Sequence, residues 1–192
     1  MDRKCEKPKY ALIKTFQTGS RSWYGAVKTV EVRRYAPYII AAFTADANAP
    51  MRESLGKGFM SVAGYIFGKN ESRSGGAEKV AMTSPVVSES AGDAYTVSFI
   101  MPSKYTMDTL PTPSDPRVTL KEVPSRTLAA LRWRGPSVKE EVMQLYASEL
   151  REVLEREGVK IQTDEPLLFQ YHPPFAPPWM RLNEVLFEVT YE

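Results

Sequence analysis

Residues 49–70 read APMRESLGKGFMSVAGYIFGKN, and this segment predicts an amphipathic helix. Its apolar side chains recur at helical spacing and fall on one side of a helix: Met51, Leu55, Phe59, Val62 and Ile66. Pro50 suits the first helical position, and Gly68 suits a C-terminal stop. The segment therefore predicts a helix that packs one apolar stripe against a core.

A second line of residues on the same segment is unusual. Gly56, Met60 and Gly64 follow one another at helical spacing beside the apolar stripe. Each glycine costs a helix about 1 kcal/mol against alanine. Two explanations are open at this point: a flat ligand approaches the helix along this line, or another element of the protein packs closely there.

The composition is that of a folded protein without a strong charge bias. The chain has 192 residues, 43% of them hydrophobic, and 25 basic against 23 acidic side chains give a net charge of +2. This balance predicts neither a nucleic-acid footprint nor a polybasic membrane patch. Cys5 is the only cysteine and His172 the only histidine, so a disulfide framework, a Cys/His zinc site and a catalytic pair built on Cys5 all lack parts.

The same features predict the compartment. A single cysteine is typical of a reducing environment. No apolar run approaches the length of a membrane helix, and the N-terminal residues do not read as a signal peptide. We therefore expect a protein that has no transmembrane segment and is not secreted.

The pattern of the chain repeats after a proline-rich linker at residues 102–116. A shift of 88 residues aligns Val30 with Val118, Ala41 with Ala129, Pro85 with Pro173 and Phe99 with Phe187. Strands are predicted at residues 10–16, 30–35, 38–43, 80–87, 95–100, 167–171 and 184–189. The second helix, at residues 138–157, opens with a capping box of Ser137 and Glu140, and its stripe is Val138, Val142, Leu145, Leu150, Val153 and Leu154.

This repeat predicts the fold class. Neither β-α-β-β half buries both faces of its own sheet, so the halves should combine. We expect an α+β fold, a distorted antiparallel β-barrel from two pseudo-symmetric β-α-β-β halves, flanked by two long helices. It would form a single domain over residues 1–192, with pseudo-repeats at approximately 28–101 and 117–192.

Five motifs, in order along the chain, closely resemble the SOUL/haem-binding protein family. They are PKY at residues 8–10, VEVRRY at 30–35, GF at 58–59 with YIFGKN at 65–70, KVAMTSPV at 79–86, and YHPP at 171–174 with RLNEV at 181–185. The resemblance covers the chain from about Pro8 to the C-terminus. It implies the same barrel of two halves, related to bacterial effector-binding domains of the GyrI type.

The resemblance also implies a ligand. Members of the family bind haem or other tetrapyrroles reversibly, in a shallow apolar cleft beside the first helix and the C-terminal loops, often without an essential axial ligand. The line of Gly56, Met60 and Gly64 would form one wall, and Lys57 beside it would pair a propionate. The opposite wall would come from Phe175, Trp179 and Met180 in the proline-rich loop.

The chain departs from the family that it resembles at the expected anchors for the propionates. Some members carry basic residues at positions that align with Gly56, Gly64 and Ala176, and this chain has none of the three. Either Lys57, Lys69 or Arg181 substitutes for them, or the ligand is a less carboxylated tetrapyrrole.

His172 and Met60 are the candidate iron ligands, and we expect neither to be essential. The family stretch around His172 is not defined by the histidine, and a methionine at helical spacing usually serves packing. Arg181, Asn183 and Glu184 read as a polar cluster that satisfies its own hydrogen bonds. The prediction is a non-enzymatic carrier or buffer of a tetrapyrrole in the cytosol or a plastid, with no catalytic residue and no metal site in the protein.

Two alternatives remain open. Relatives of the effector-binding fold hydrolyse small reactive molecules, and Tyr171, Arg181 and Glu184 offer groups for acid/base chemistry. The other alternative is a protein-interaction module built on the proline-rich loops and the helix flank. A protein partner in haem metabolism is a further expectation.

Overall fold

The computed structural model describes residues 5–21, 27–92, 94–135, 140–173 and 176–191. In chain order the elements are β1 (Tyr10–Arg21), β2 (Val27–Tyr35), β3 (Tyr38–Thr44), α1 (Met51–Ile66), β4 (Asn70–Glu71), β5 (Val86–Ala91), β6 (Ala94–Ile100), β7 (Thr112–Pro113), β8 (Val118–Val123), β9 (Arg126–Arg134), α2 (Glu140–Arg156), β10 (Lys160–Ile161), β11 (Leu167–Gln170), the 3-10 turn Pro178–Met180, and β12 (Leu182–Thr190). They divide into two compact units. The first is Met1–Pro8 with Pro37–Pro124, and the second is Lys9–Ala36 with Ser125–Glu192.

The first unit packs helix α1 on an antiparallel sheet in the strand order β5-β6-β3-β8. The predicted apolar stripe makes the contact. Val62 and Ile66 are buried, and Leu55 and Phe59 pack against the same core cluster. The amphipathic pattern thus places the opposite side of α1 in solvent.

Gly58 lies where α1 meets this sheet. A Cβ at Gly58 would lie 2.7 Å from Cγ2 of Val97 and 3.3 Å from Cδ1 of Phe43. Both neighbours are buried strand residues. The close approach of α1 to β6 and β3 therefore requires a glycine at this position.

The second unit packs helix α2 on an antiparallel sheet in the order β1-β2-β9-β12-β11, with β10 paired to β12. Leu150, Val153 and Leu154 of the predicted stripe are buried. The prediction is wrong for Leu145, because its side chain is 66% exposed and Met143 and Ala147 are buried instead. Val138 and the capping box of Ser137 lie outside the described residues.

The α+β class, with antiparallel pairing and two helices, is confirmed. The repeat is visible in the elements, since β3 and β9 begin 88 residues apart, at Tyr38 and Arg126, and so do β6 and β12, at Ala94 and Leu182. In the described part of the chain, the strand order of neither unit closes on itself. Closure into a barrel stays a prediction, as does the assignment of residues 1–192 to a single domain.

One predicted strand is misplaced. The strand expected at residues 80–87 begins only at Val86. Pro85, just before it, has no N–H group to donate to a strand ladder. The predicted linker at residues 102–116 contains the short strand β7, which pairs with β4.

Candidate functional site

The exposed side of α1 carries the predicted glycine line. Gly56 is exposed, and within the described part of the chain a Cβ at this position would meet no atom within 4 Å beyond the adjoining residues and helix backbone. Met60 is 69% exposed. Gly64 is partly covered by Lys69, whose Cδ would lie 3.0 Å from a Cβ at Gly64. Close packing of another element, the alternative explanation for glycines on this helix, therefore applies to Gly58 and not to Gly56.

Phe67 extends this surface beyond the predicted residues. It follows the last residue of α1, and its side chain is 63% exposed. A separation of seven residues from Met60 places it on nearly the same side of the helix. That spacing is the signal in the sequence that indicates it. We call Gly56, Met60, Gly64 and Phe67 the α1 flank.

Lys57 lies beside the α1 flank, but its ammonium group is already paired. Its Nζ is 2.6 Å from Oε1 of Glu53, one turn earlier, and both side chains are exposed. The hydrogen bond to Glu53 raises the pKa of Lys57, and the same bond lowers the pKa of Glu53. A ligand carboxylate would have to compete with Glu53 for this lysine.

The remaining predicted contact residues belong to the second unit, in the loop before β12. Trp179 is 73% exposed and Met180 is 50% exposed. Hydrogen bonds hold the turn that carries them: the N–H of Met180 donates to the Pro177 carbonyl at 2.9 Å, and Nε of Arg181 donates to the Ala176 carbonyl at 2.8 Å. Phe175 lies outside the described residues.

His172, in the same loop, uses its Nδ1 as a hydrogen-bond acceptor. The backbone N–H of Leu182 donates to it at 3.1 Å. In a neutral imidazole whose Nδ1 accepts, the proton sits on Nε2. An iron ligand must present an unprotonated nitrogen. In His172 this nitrogen is Nδ1, which already accepts the hydrogen bond from Leu182. This arrangement disfavours His172 as an axial ligand.

Glu184 lies at the centre of a buried ionic network in the second unit. Its carboxylate is fully buried and accepts two hydrogen bonds from Arg33, at 2.8 and 2.9 Å, and two from Arg132, at 2.7 and 2.9 Å. The hydroxyl of Tyr171 donates a fifth at 2.6 Å. Register explains the meeting, since Glu184 lies directly opposite Arg132 across β12 and β9.

Arg33 is the buried cation of this network. Its side chain is 1% exposed, its Nε donates to Glu31 at 2.7 Å, and its Nη1 contacts the hydroxyl of Tyr35 at 3.1 Å. Asn183, predicted to belong to the cluster, lies opposite Trp133 and alternates to the other face of the sheet. Arg33 of the motif VEVRRY thus pairs with Glu184 of the motif RLNEV.

Charge pairing has a larger effect than burial on the pKa of Glu184, at the centre of the network. Burial alone would raise the pKa of Glu184, but hydrogen bonding and the charge of Arg33 hold it below its ordinary value. Burial raises the pKa of Tyr35 to about 12, and burial together with the charge of Glu184 raises the pKa of Tyr171. Because both oxygens of Glu184 are engaged, the arrangement favours a structural role over acid/base chemistry.

Clusters of metal-binding side chains and membrane-spanning helices are both absent from the described ranges. Within those ranges, no group of three or more His, Cys, Asp or Glu side chains is arranged to hold a metal ion. No helix among the same residues is both long enough and apolar enough to cross a membrane.

Solved structures share the fold of this chain at low sequence identity. A hydrolase from Listeria innocua matches with a TM-score of 0.58 and 13% identity, covering 84% of this chain and 91% of its own. An uncharacterized conserved protein from Listeria innocua matches with a TM-score of 0.59 and 16% identity. The match covers 84% of this chain and 92% of that protein. The C-terminal domain of EcmrR matches with a TM-score of 0.56 and 9% identity. The match covers 85% of this chain and 98% of that domain. These likenesses show the fold alone.

The comparison by sequence gives the family. A search of curated proteins finds no significant match. A family model described as SOUL heme-binding protein matches residues 5–188. All five motifs of the sequence fall within that span. The chain therefore belongs to the SOUL heme-binding protein family.

Proposed function

We propose that this protein binds haem or a related tetrapyrrole reversibly on the α1 flank, as a non-enzymatic carrier or buffer. The observation that carries the proposal is the open surface at Gly56, in a chain of a heme-binding family. Of the residues that the structure describes, none beyond the adjoining residues and helix backbone places an atom within 4 Å of the position that a Cβ would take. A macrocycle is flat, and a glycine lets it lie against the helix backbone. Met60 and Phe67 add exposed apolar contacts on the same side of α1.

The size of the ligand sets the expected affinity. Covering about 350 Å² of apolar macrocycle at about 25 cal/mol per Å² contributes about 9 kcal/mol. The apolar protein surface that it covers contributes up to a similar amount, and association costs about 4–15 kcal/mol of the total. Without a bond to iron, the dissociation constant should lie in the micromolar to high nanomolar range, which suits transient carriage.

The residues present fit the macrocycle better than they fit its metal. Haem, when bound, supplies a redox-active iron, whereas the α1 flank supplies an apolar surface. Nδ1 of His172 is committed to Leu182, and the exposed thioether of Met60 serves as an adaptable contact. We therefore propose that no axial ligand is obligatory. The compartment, cytosol or plastid, stays a prediction from the sequence.

Gly56→Leu is expected to weaken binding of mesoporphyrin IX at least about ten-fold, equivalent to about 1.4 kcal/mol. The added side chain would stand in the open surface, since among the described residues no atom beyond the adjoining residues and helix backbone lies within 4 Å of a Cβ there. Quenching of tryptophan fluorescence during titration measures the affinity.

Ser148→Leu is the matched control for this variant. Ser148 is exposed on α2, 88 residues after Met60. The substitution therefore adds the same apolar side chain to the surface of the other helix. It should bind mesoporphyrin IX as the wild type does. Equal affinities for wild type, Gly56→Leu and Ser148→Leu would show that the α1 flank is not the binding surface.

A further inference from the structure

Met60 is the most exposed methionine among the residues that the structure describes. Its side chain is 69% exposed, against 50% for Met180, whereas the side chains of Met101 and Met143 are buried. Gly56 lies one helical turn before Met60 and has no side chain to cover the sulfur. A small dissolved oxidant therefore reaches the thioether of Met60 without any opening of the fold.

A thioether reacts with hydrogen peroxide in a way that cells reverse. The lone pair of the sulfur attacks one peroxide oxygen, and the O–O bond breaks. The second oxygen leaves as hydroxide and takes up the proton of the first to form water. The sulfur thus gains one oxygen atom and gives up two electrons, which reduce the peroxide. The product, methionine sulfoxide, replaces an apolar group with a polar one on the same side chain.

This change matters because the contact proposed on the α1 flank is apolar. Met60 and Phe67 supply the exposed apolar side chains, and Gly56 supplies open backbone. A sulfoxide oxygen covered by a flat ligand loses its water, and the face of an aromatic ring offers no N–H or O–H group in exchange. Lys57, three residues before Met60, already has its ammonium group 2.6 Å from the carboxylate of Glu53.

We propose that Met60 is a site of reversible oxidation, and that its conversion to the sulfoxide by hydrogen peroxide weakens binding of the tetrapyrrole on the α1 flank. The inference rests on the proposed function. The reduced side chain gives the flank an adaptable apolar contact, and oxidation removes that contact. One residue thus makes the affinity of the flank depend on the oxidant.

The affinity for metal-free mesoporphyrin IX, measured before and after peroxide treatment, tests the inference. The protein is treated with hydrogen peroxide, the excess is removed by gel filtration, and the absorbance of the porphyrin follows the titration. Treatment should weaken binding by the wild type about ten-fold, and methionine sulfoxide reductase should restore it. Mass spectrometry of peptides should find the added oxygen on Met60 earlier than on the buried Met143.

Met60→Leu and Met180→Leu assign the effect to one sulfur. Each variant is compared with itself before and after treatment, so that a difference in starting affinity cancels. Peroxide should not change the affinity of Met60→Leu, because leucine has no sulfur to oxidise. It should weaken binding by Met180→Leu about ten-fold, as it does for the wild type.

Other outcomes overturn the inference. Unchanged affinity after complete oxidation of Met60 would mean that the ligand does not contact its sulfur. Equal losses for the wild type and Met60→Leu would assign the effect to another oxidisable group, and an unaffected Met180→Leu would assign it to Met180. In each of these cases the untreated wild type still binds, so the proposed function stands. Failure of the untreated wild type to bind mesoporphyrin IX overturns the proposed function and the inference together.

Discussion

Glu184→Gln is expected to lower the free energy of unfolding by about 3–5 kcal/mol, the usual cost of removing one partner of a buried ion pair. The variant keeps the shape of the side chain but leaves Arg33, which is 1% exposed, without the carboxylate that it contacts through two hydrogen bonds. One of the two acceptor oxygens becomes an NH2 group that faces the donors of Arg33 and of either Arg132 or Tyr171. Denaturation by guanidinium chloride at neutral pH measures the loss.

Glu53→Gln provides the comparison, because it breaks an ion pair of similar length on the surface. Glu53 and Lys57 are both exposed, and such pairs contribute little to stability. Its unfolding midpoint should stay close to that of the wild type. If the two variants lose stability equally, the network around Glu184 does not stabilise the second unit as its geometry indicates.

The same network makes stability depend on pH in the acid range. The folded-state pKa of Glu184 lies below its ordinary value of 4.5, because Arg33 outweighs the effect of burial. The contribution of Glu184 is therefore fully present above the unfolded-state pKa, and it is lost as pH falls through the folded-state pKa. The difference in stability between wild type and Glu184→Gln should shrink below about pH 4.5. A difference that stays constant into strong acid would contradict the assignment.

Gly58→Ala is expected to destabilise the protein by about 1–3 kcal/mol, the usual cost of overpacking a core. The new Cβ would lie 2.7 Å from Cγ2 and 2.8 Å from Cβ of Val97. Val97 is 1% exposed and sits in the middle of β6, so its side chain is enclosed by the core that it would have to displace. Thermal and denaturant unfolding report the change.

Gly56→Ala is the matched control two residues away on the same helix. It meets no atom within 4 Å, so the better helix propensity of alanine should stabilise α1 by about 0.5–1 kcal/mol. The two substitutions are chemically identical, but their effects on the free energy of unfolding should have opposite signs. If Gly58→Ala is as stable as Gly56→Ala, α1 does not approach β6 as closely as described.

This pair also shows what the sequence predicts and what it leaves open. Helical spacing predicts α1 and its buried stripe, because the 3.6-residue period depends only on residues that are close together in the chain. It places Gly58 in line with Val62 and Ile66 and Gly56 away from them, but it does not show that position 58 requires a glycine, because that depends on the distance from α1 to β6. The exposed position of Leu145 is a similar case, since it depends on which edge of α2 faces the sheet.

The partners of Glu184 show the same division. The sequence predicts a polar cluster at the start of β12, and it favours a structural role. It does not name Arg33 and Arg132, which lie 151 and 52 residues away along the chain. Such contacts follow from strand register, which no local period encodes.

Titration of the wild-type protein with mesoporphyrin IX, followed by quenching of tryptophan fluorescence, tests tetrapyrrole binding most directly. We expect saturable binding with a dissociation constant in the micromolar to high nanomolar range. Haem and a chlorophyll derivative titrated in the same way cover the other members of the ligand class. If all three bind more weakly than about 50 μM, a binding free energy of only about 6 kcal/mol, the protein is not a tetrapyrrole carrier.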